Sequence, residues 1–169
     1  MPEEAARQLV RKINRLGMIH RIYIRRAASA HELYMGQMPI LEYVEAHEGC
    51  TQREAAKELG VSPPSVATSV RRMERAGFLT CTGSAADRRA TCLALTARGR
   101  AVMQACRAEC DSVDVRMLCG LSEQERQTLS ELLDRMTESL DTDGYRSCPF
   151  GVLREAACVP DRPHDEADK

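Results

Sequence analysis

The sequence has no tryptophan and only two phenylalanines among its 169 residues, so its core must be built from aliphatic side chains, methionine and cysteine. It has no apolar run near the ~20 residues that a membrane-spanning helix needs, which excludes a membrane partner of that kind. Its first residues include Glu3, Glu4, Arg7, Arg11 and Lys12, and these interrupt any apolar stretch that could serve as a secretory signal. A cytoplasmic protein is expected. There is no Cys-x-x-Cys pair among the eight cysteines, and a cytosolic chain of this size needs no disulfide framework. Most of these thiols read as small core hydrophobes. No catalytic residue, metal site or cofactor is indicated, and a thiol or zinc enzyme is disfavoured.

An excess of either sign is lacking overall, since the net charge is −1, but the distribution of charge is uneven. Residues 51–100 carry nine Lys or Arg against four acids, whereas residues 109–141 carry three Arg against nine acids. A basic middle on an otherwise acidic chain is the footprint of a nucleic-acid-binding face.

Apolar periodicity supplies the elements. Leu9, Ile13, Leu16, His20, Tyr23 and Ala27 recur at steps of three and four, which predicts one long helix over 3–30. A second helix is expected from about Pro39 to Gly49. Thr51-Gln52-Arg53-Glu54 has the capping-box pattern and opens a short helix ending at Gly60. Ser62-Pro63 opens the next one, with Ser as N-cap and Pro at the first helical position. Val66, Val70 and Met73 form its inner face, and Gly77 ends it. Two short capped helices joined by Leu59-Gly60-Val61 match the helix-turn-helix pattern. Residues 78–82 and 90–95 read as two strands, joined by a polar loop from Gly83 to Arg89, and together they form a β-ribbon or wing. Thr96 caps a helix running to about Leu118, with Val102, Cys106, Cys110, Val113 and Met117 as its stripe. Ser122-Glu123-Gln124-Glu125 is a second capping box, and Leu129, Leu132, Leu133, Met136 and Leu140 give the last helix its face. After Asp141 the periodicity fades. Residues 161–169 are polar and read as disordered.

The fold class is therefore mainly α: a winged helix-turn-helix with a small antiparallel β-ribbon and a helical dimerisation region. The organisation expected is an N-terminal dimerisation helix (1–34), a DNA-binding lobe (35–98), C-terminal dimerisation helices (99–141) and an acidic tail (142–169). The single stripes of the first and last helices must bury against something, and a second copy of the chain is the economical answer.

Three stretches carry a family resemblance. They are Gly49 to Ala56, Leu59 to Val66, and Arg72 to Leu79. The most specific string is Asp87-Arg88-Arg89 followed by Leu93-Ala94-Leu95-Thr96-Ala97-Arg98-Gly99. It is similar to the wing pattern of the MarR family: Asp-x-Arg, a strand, then Leu-Thr-x-x-Gly. The resemblance spans about residues 5–140. It implies a homodimeric transcriptional regulator, most often a repressor released by a small-molecule effector, acting on a pseudo-palindromic double-stranded operator. The helix from Ser62 then enters the major groove, where base edges are distinct. Pro64, Ser65, Thr68 and Ser69 lie on its outer side, while Arg71 and Arg72 are placed for phosphate. The resemblance implies that Arg89 reaches the minor groove, braced by Asp87, with Arg88 on phosphate. A narrow A·T-rich groove attracts such a guanidinium.

Two sensor readings stay open. His20 and Tyr23, on the inner face of the first helix, could line an effector pocket or form a packed core pair. Cys106 and Cys110, one turn apart, could sense metal or redox state. They also lie within an apolar stripe, and Met38-Pro39 stands where the family's other metal ligands would be. Tail thiols Cys148 and Cys158 are further redox candidates. The alternatives to an effector-released repressor are thus a cysteine-based sensor of the same fold, or a winged helix used only for protein contact.

Overall fold

Side-chain chemistry writes most of the helix boundaries. The computed structural model describes residues 3–34, 36–83, 91–148, 152–153 and 157. Among them run α1 (Glu3–Ala30), α2 (Gln37–Ala46), α3 (Gln52–Leu59), α4 (Pro63–Arg75), β1 (Leu79–Gly83), β2 (Thr91–Leu95), α5 (Ala97–Leu118) and α6 (Glu123–Leu140), then a 3₁₀ turn, Tyr145–Ser147. Both capping boxes form. The Thr51 hydroxyl accepts from Glu54 N at 3.2 Å, and Glu54 Oε2 accepts from Thr51 N at 2.7 Å. Ser122 and Glu125 repeat the exchange at 3.3 and 2.8 Å. Each box satisfies amide donors that a helix start would otherwise leave unpaired.

Two boundaries differ from the sequence expectation. Helix α2 begins at Gln37, not Pro39, because Gly36 turns the chain in the left-handed region (φ 87°) and the Gln37 Oε1 accepts from Tyr34 N at 2.8 Å. Pro39 then falls in the first turn, where its missing N–H costs nothing. The helix ends at Ala46 with His47 as its cap, before Gly49. The ribbon starts one residue later on each strand than expected, at Leu79 and Thr91, and extends through Gly83.

The strands pair antiparallel, from Leu79 opposite Leu95 to Gly83 opposite Thr91. The chain before α3 adds a short third edge: Gly49 N donates to Leu93 O, and Leu93 N to Cys50 O. Against this sheet pack Leu41 and Val44 of α2, Ala55 and Ala56 of α3, and Val66, Val70 and Met73 of α4. Phe78, Leu79 and Leu93 close the cluster. Met103 and Cys106 of α5, and Ala28 and Leu33 at the end of α1, enter the same core. The stripe expected on α5 is therefore joined by Met103, while Met117 stays 42% exposed.

The ribbon passes into α5 through one residue. Thr96 Oγ1 accepts from Gly99 N at 2.9 Å, capping α5. The same hydroxyl lies 2.7 Å from Gly77 O and 3.1 Å from Phe78 O, to which it can donate. Gly99 is buried, and a Cβ there would overlap the Phe78 carbonyl.

The long helices behave differently. Helix α1 touches α5, where His20 Nε2 lies 2.7 Å from Asp114 Oδ1 and His31 Nε2 lies 2.8 Å from Glu109 Oε2. Yet only Ala27 and Ala28 of α1 are buried, and no residue of α6 is. Leu9, Ile13, Leu16, Ile19, Leu132 and Leu133 remain exposed in the single chain, so the apolar stripes read from the sequence are present and uncovered.

The ribbon–α5 joint yields a stability prediction. Gly99→Ala should destabilise the lobe by about 3 kcal/mol or more, at the upper end of overpacking costs, because the obstacle is a backbone carbonyl rather than a flexible side chain. Thermal unfolding followed by circular dichroism measures it, and a wild-type melting temperature would refute the account of this joint.

Candidate nucleic-acid interface

Helix α4 carries two opposed faces. Val66, Val70 and Met73, spaced i, i+4, i+7, are buried, and this anchors the helix on the lobe. Pro63, Pro64, Ser65, Thr68, Arg71 and Arg72 are exposed, with Ser69 half-buried. The Ser62 backbone is extended (φ −60°, ψ 137°), so it serves as N-cap, and Pro occupies the first helical positions. Its hydroxyl oxygen lies 2.8 Å from that of Ser65. The Thr68 hydroxyl donates to Pro64 O at 2.9 Å, which fixes its rotamer and leaves its lone pairs directed outward as acceptors. The leading half of the helix therefore offers small, rotationally restrained polar groups on a rigid rod.

Arg71 and Arg72, alike in the sequence, part company in space. Arg71 has no ion-pair partner among the described residues and stands on the exposed face. The Arg72 guanidinium lies 5.2 Å over the Tyr34 ring, a cation–π contact that turns it toward the end of α1. Asp87, Arg88 and Arg89 lie outside the described residues.

Arg72 and Tyr34 line a cleft of about 430 Å³, together with Leu33, Gln37, Met73 and Phe78. Gln37 is 2% exposed. Its oxygen is engaged by Tyr34 N, which leaves its amide N–H₂ as the donor on that wall. Sequence reasoning missed this cleft, because its parts come from the end of α1, the start of α2 and the back of α4. His20 and Tyr23 instead line a smaller cleft, about 210 Å³, between α1 and α5, with Leu16, Val113 and Met117. His20 is held by Asp114. The Tyr23 ring has Arg116 at 4.7 Å and Arg26 at 5.6 Å.

Residues 34–90, which span α2 to the ribbon, match the MarR family. Along a longer stretch, the HTH-type transcriptional repressor Rv2887 of Mycobacterium tuberculosis is 26% identical over 122 residues, covering 72% of this chain and 88% of the relative. The chain is similar to MarR-family proteins along most of its length. Solved structures agree on the fold. YusO from Bacillus subtilis superposes with a TM-score of 0.72 at 18% identity, over 82% of this chain and 98% of its own. Rv2887 in complex with DNA gives 0.59 at 24% identity, over 76% of this chain and 96% of its own. Rv2887 with salicylic acid gives 0.55 at 26% identity, over 73% and 92%. The winged helix-turn-helix architecture is that of MarR proteins.

Within this MarR fold the cysteines are quiet. Burial pushes the Cys106 thiol up to about 12, with the neighbouring Cys110 thiol adding to the rise. Cys110 and Cys50 are also raised, chiefly by burial, and Cys81 rises to about 11 through burial and then Glu74. A thiolate, not a thiol, attacks and ligates, so these groups stay protonated at neutral pH. Among the described residues no three His, Cys, Asp or Glu are placed to hold a metal ion. Cys119 is exposed, Cys148 is half-buried, and Cys158 lies outside the described residues.

The sign of these shifts gives a labelling order. At neutral pH Cys106 is protonated as well as enclosed, so maleimide at pH 7 should modify the exposed Cys119 before Cys106 and reach Cys106 only on unfolding. Mass spectrometry of timed digests reads the order. Early modification of Cys106 in the native chain would reopen the thiol-sensor reading.

Proposed function

We propose that this chain is a homodimeric transcriptional repressor that binds a pseudo-palindromic double-stranded operator and is released by a small-molecule effector. The observation that carries the reading is the exposed leading face of α4, held rigid by the buried Val66–Val70–Met73 face. Relatives named as a repressor, and as a complex with DNA and with salicylic acid, support it. No enzymatic step is part of this reading.

Pro64, Ser65, Thr68 and Ser69 face the major groove, where short side chains allow close approach and Ser or Thr can bond to base edges. Arg71, which has no carboxylate partner among the described residues, takes phosphate, and phosphate contacts dominate affinity and its salt dependence. Arg89, braced by Asp87, is assigned to the minor groove, with Arg88 on phosphate. Residues 35–98 are the DNA-binding lobe. The segments 1–34 and 99–141 form the dimerisation region, and 142–169 the tail. The second copy covers the exposed apolar faces of α1 and α6. Among the described residues no helix is long and apolar enough to cross a membrane, and a cytoplasmic site of action fits this.

The effector site is assigned to the larger cleft. It offers a guanidinium, an amide donor and an apolar wall of Leu33, Met73 and Phe78, a set suited to a small aromatic acid. Arg72 and Met73 belong to α4 itself, so occupancy of the cleft acts directly on the DNA-reading helix. His20 and Tyr23 form a secondary cleft whose polar groups already serve Asp114 and Arg116.

Two arginine variants test the reading. Arg71→Ala should weaken operator binding and reduce the salt slope by about 1 per lost phosphate contact, hence by about 2 for a dimer. Arg72→Ala should retain most of the affinity but lose release by salicylate. Anisotropy titrations at two salt concentrations read both. Equal losses of affinity, with release intact in both variants, would overturn the division of roles. For the dimer, Leu133→Asp should place a charge in the shared apolar face, and sedimentation should show monomer where wild type is dimeric. A wild-type chain that sediments as a folded monomer at micromolar concentration would remove the dimer from the proposal.

A further inference from the structure

The helix-turn-helix turn has an occupant. Gly60 caps α3 in the left-handed region (φ 60°) and precedes the Ser62 cap of α4 by two residues. Packed against it is Val152, from beyond the last helix: a Cβ at Gly60 would overlap the Val152 Cγ2 methyl, and the Val152 backbone N lies within 3.2 Å of the same point. The glycine is thus required twice, for its backbone conformation and for the notch its missing side chain leaves.

The start of the segment that carries Val152 is fixed at the end of α6. Asp141 receives the backbone N–H groups of Tyr145 and Arg146 at 2.8 and 2.7 Å, which folds the chain back at the end of α6. Arg146 pairs with Glu138. Leu153 lines a cleft of about 220 Å³ with Thr137, Leu140 and Tyr145. Val152 and Leu153, adjacent in sequence, therefore reach two places: one returns to the end of α6, the other sits on the turn. Both are half-buried.

In a helix-turn-helix protein the N-terminal residues of the recognition helix enter the major groove, so the turn just before them borders the approaching duplex. A segment seated on Gly60 stands in that approach. The chain from 149 to 169 carries five acids against three Lys or Arg, so its net charge opposes phosphate rather than attracting it. We propose that the segment following α6 is an autoinhibitory strap, docked through Val152 on the Gly60 notch and competing with duplex DNA for the leading edge of α4. This rests on the DNA-binding reading of α4. The apparent affinity of a protein falls with the fraction that is competent, so a strap docked nine-tenths of the time weakens binding about tenfold.

The test compares the full chain with Val152→Asp and with a chain ending at Cys148. Hydrogen exchange of the amides at 60–62, without DNA, reports docking. Titration with a mixed-sequence duplex at low salt reports competition. Both variants should exchange faster at the turn and bind DNA about tenfold more tightly than the full chain. Unchanged exchange in both would show that the strap is not docked and would overturn the proposal. Faster exchange with equal or weaker DNA binding would overturn it too, since the contact would then not compete. If exchange responds but no chain binds duplex at all, the DNA-binding reading has failed and the autoinhibition with it, while the Val152 contact itself is retained.

Discussion

The Thr96 hydroxyl and the missing Cβ of Gly99 form the joint on which the arrangement of this molecule depends. One oxygen takes the Gly99 amide in the first turn of α5 and lies within hydrogen-bonding reach of the carbonyls of Gly77 and Phe78. The ribbon, the end of the α4 turn and the start of α5 meet at that atom. Gly99 lets the backbone of α5 rest directly on the Phe78 carbonyl. Because Phe78, Leu79, Met103 and Cys106 then share one core, the helix-turn-helix lobe and α5 are set at a fixed angle. That angle is held by dense packing and not by loop length. Interiors packed this closely transmit displacement instead of absorbing it.

Adjacent arginines on α4 illustrate how position on a helix decides chemistry. A step of one residue rotates the side chain by roughly 100°, enough to send Arg71 to solvent and Arg72 onto the Tyr34 ring. Tyr34 belongs to the short connection between α1 and α2. Glu32 in the same connection adopts a left-handed conformation (φ 61°) and pairs with Arg98 at 3.3 Å. A non-glycine residue in that region carries some strain. The connection is therefore tied on one side to α4 and on the other to α5, and a molecule entering the cleft contacts both the connection and α4. A ligand shifts an equilibrium only by its differential affinity for the two states, and a cleft walled by separate elements is where such a difference can arise.

Much of this was legible in the sequence, and the reason is local chemistry. Thr51/Glu54, Ser122/Glu125, Ser62-Pro63 and Thr96 announce helix starts through bonds made within three or four residues, so no tertiary knowledge is needed. The Val66–Val70–Met73 face and the inward pair Leu93 and Leu95 follow from periodicity alone. What sequence could not reveal depends on residues far apart in the chain. The start of α2 hangs on the Gln37–Tyr34 bond, and the separation of Arg71 from Arg72 on an aromatic ring some forty positions upstream. The cleft around Arg72 has no contiguous string at all. The Val152–Gly60 contact was equally hidden, because it joins the helix-turn-helix to a stretch without periodicity.

Helix α1 is buried only at its last turn, by Ala27 and Ala28, and this makes it a lever. Its 28 residues span about 42 Å at 1.5 Å each. It is tied to α5 partway along, where His20 meets Asp114, so a tilt of about 10° there carries its free end through about 4 Å by the same helix geometry. The fulcrum lies on the smaller cleft, beside His20 and Tyr23. A sub-ångström adjustment there is thus magnified along a rigid rod, and the far end works as a pointer.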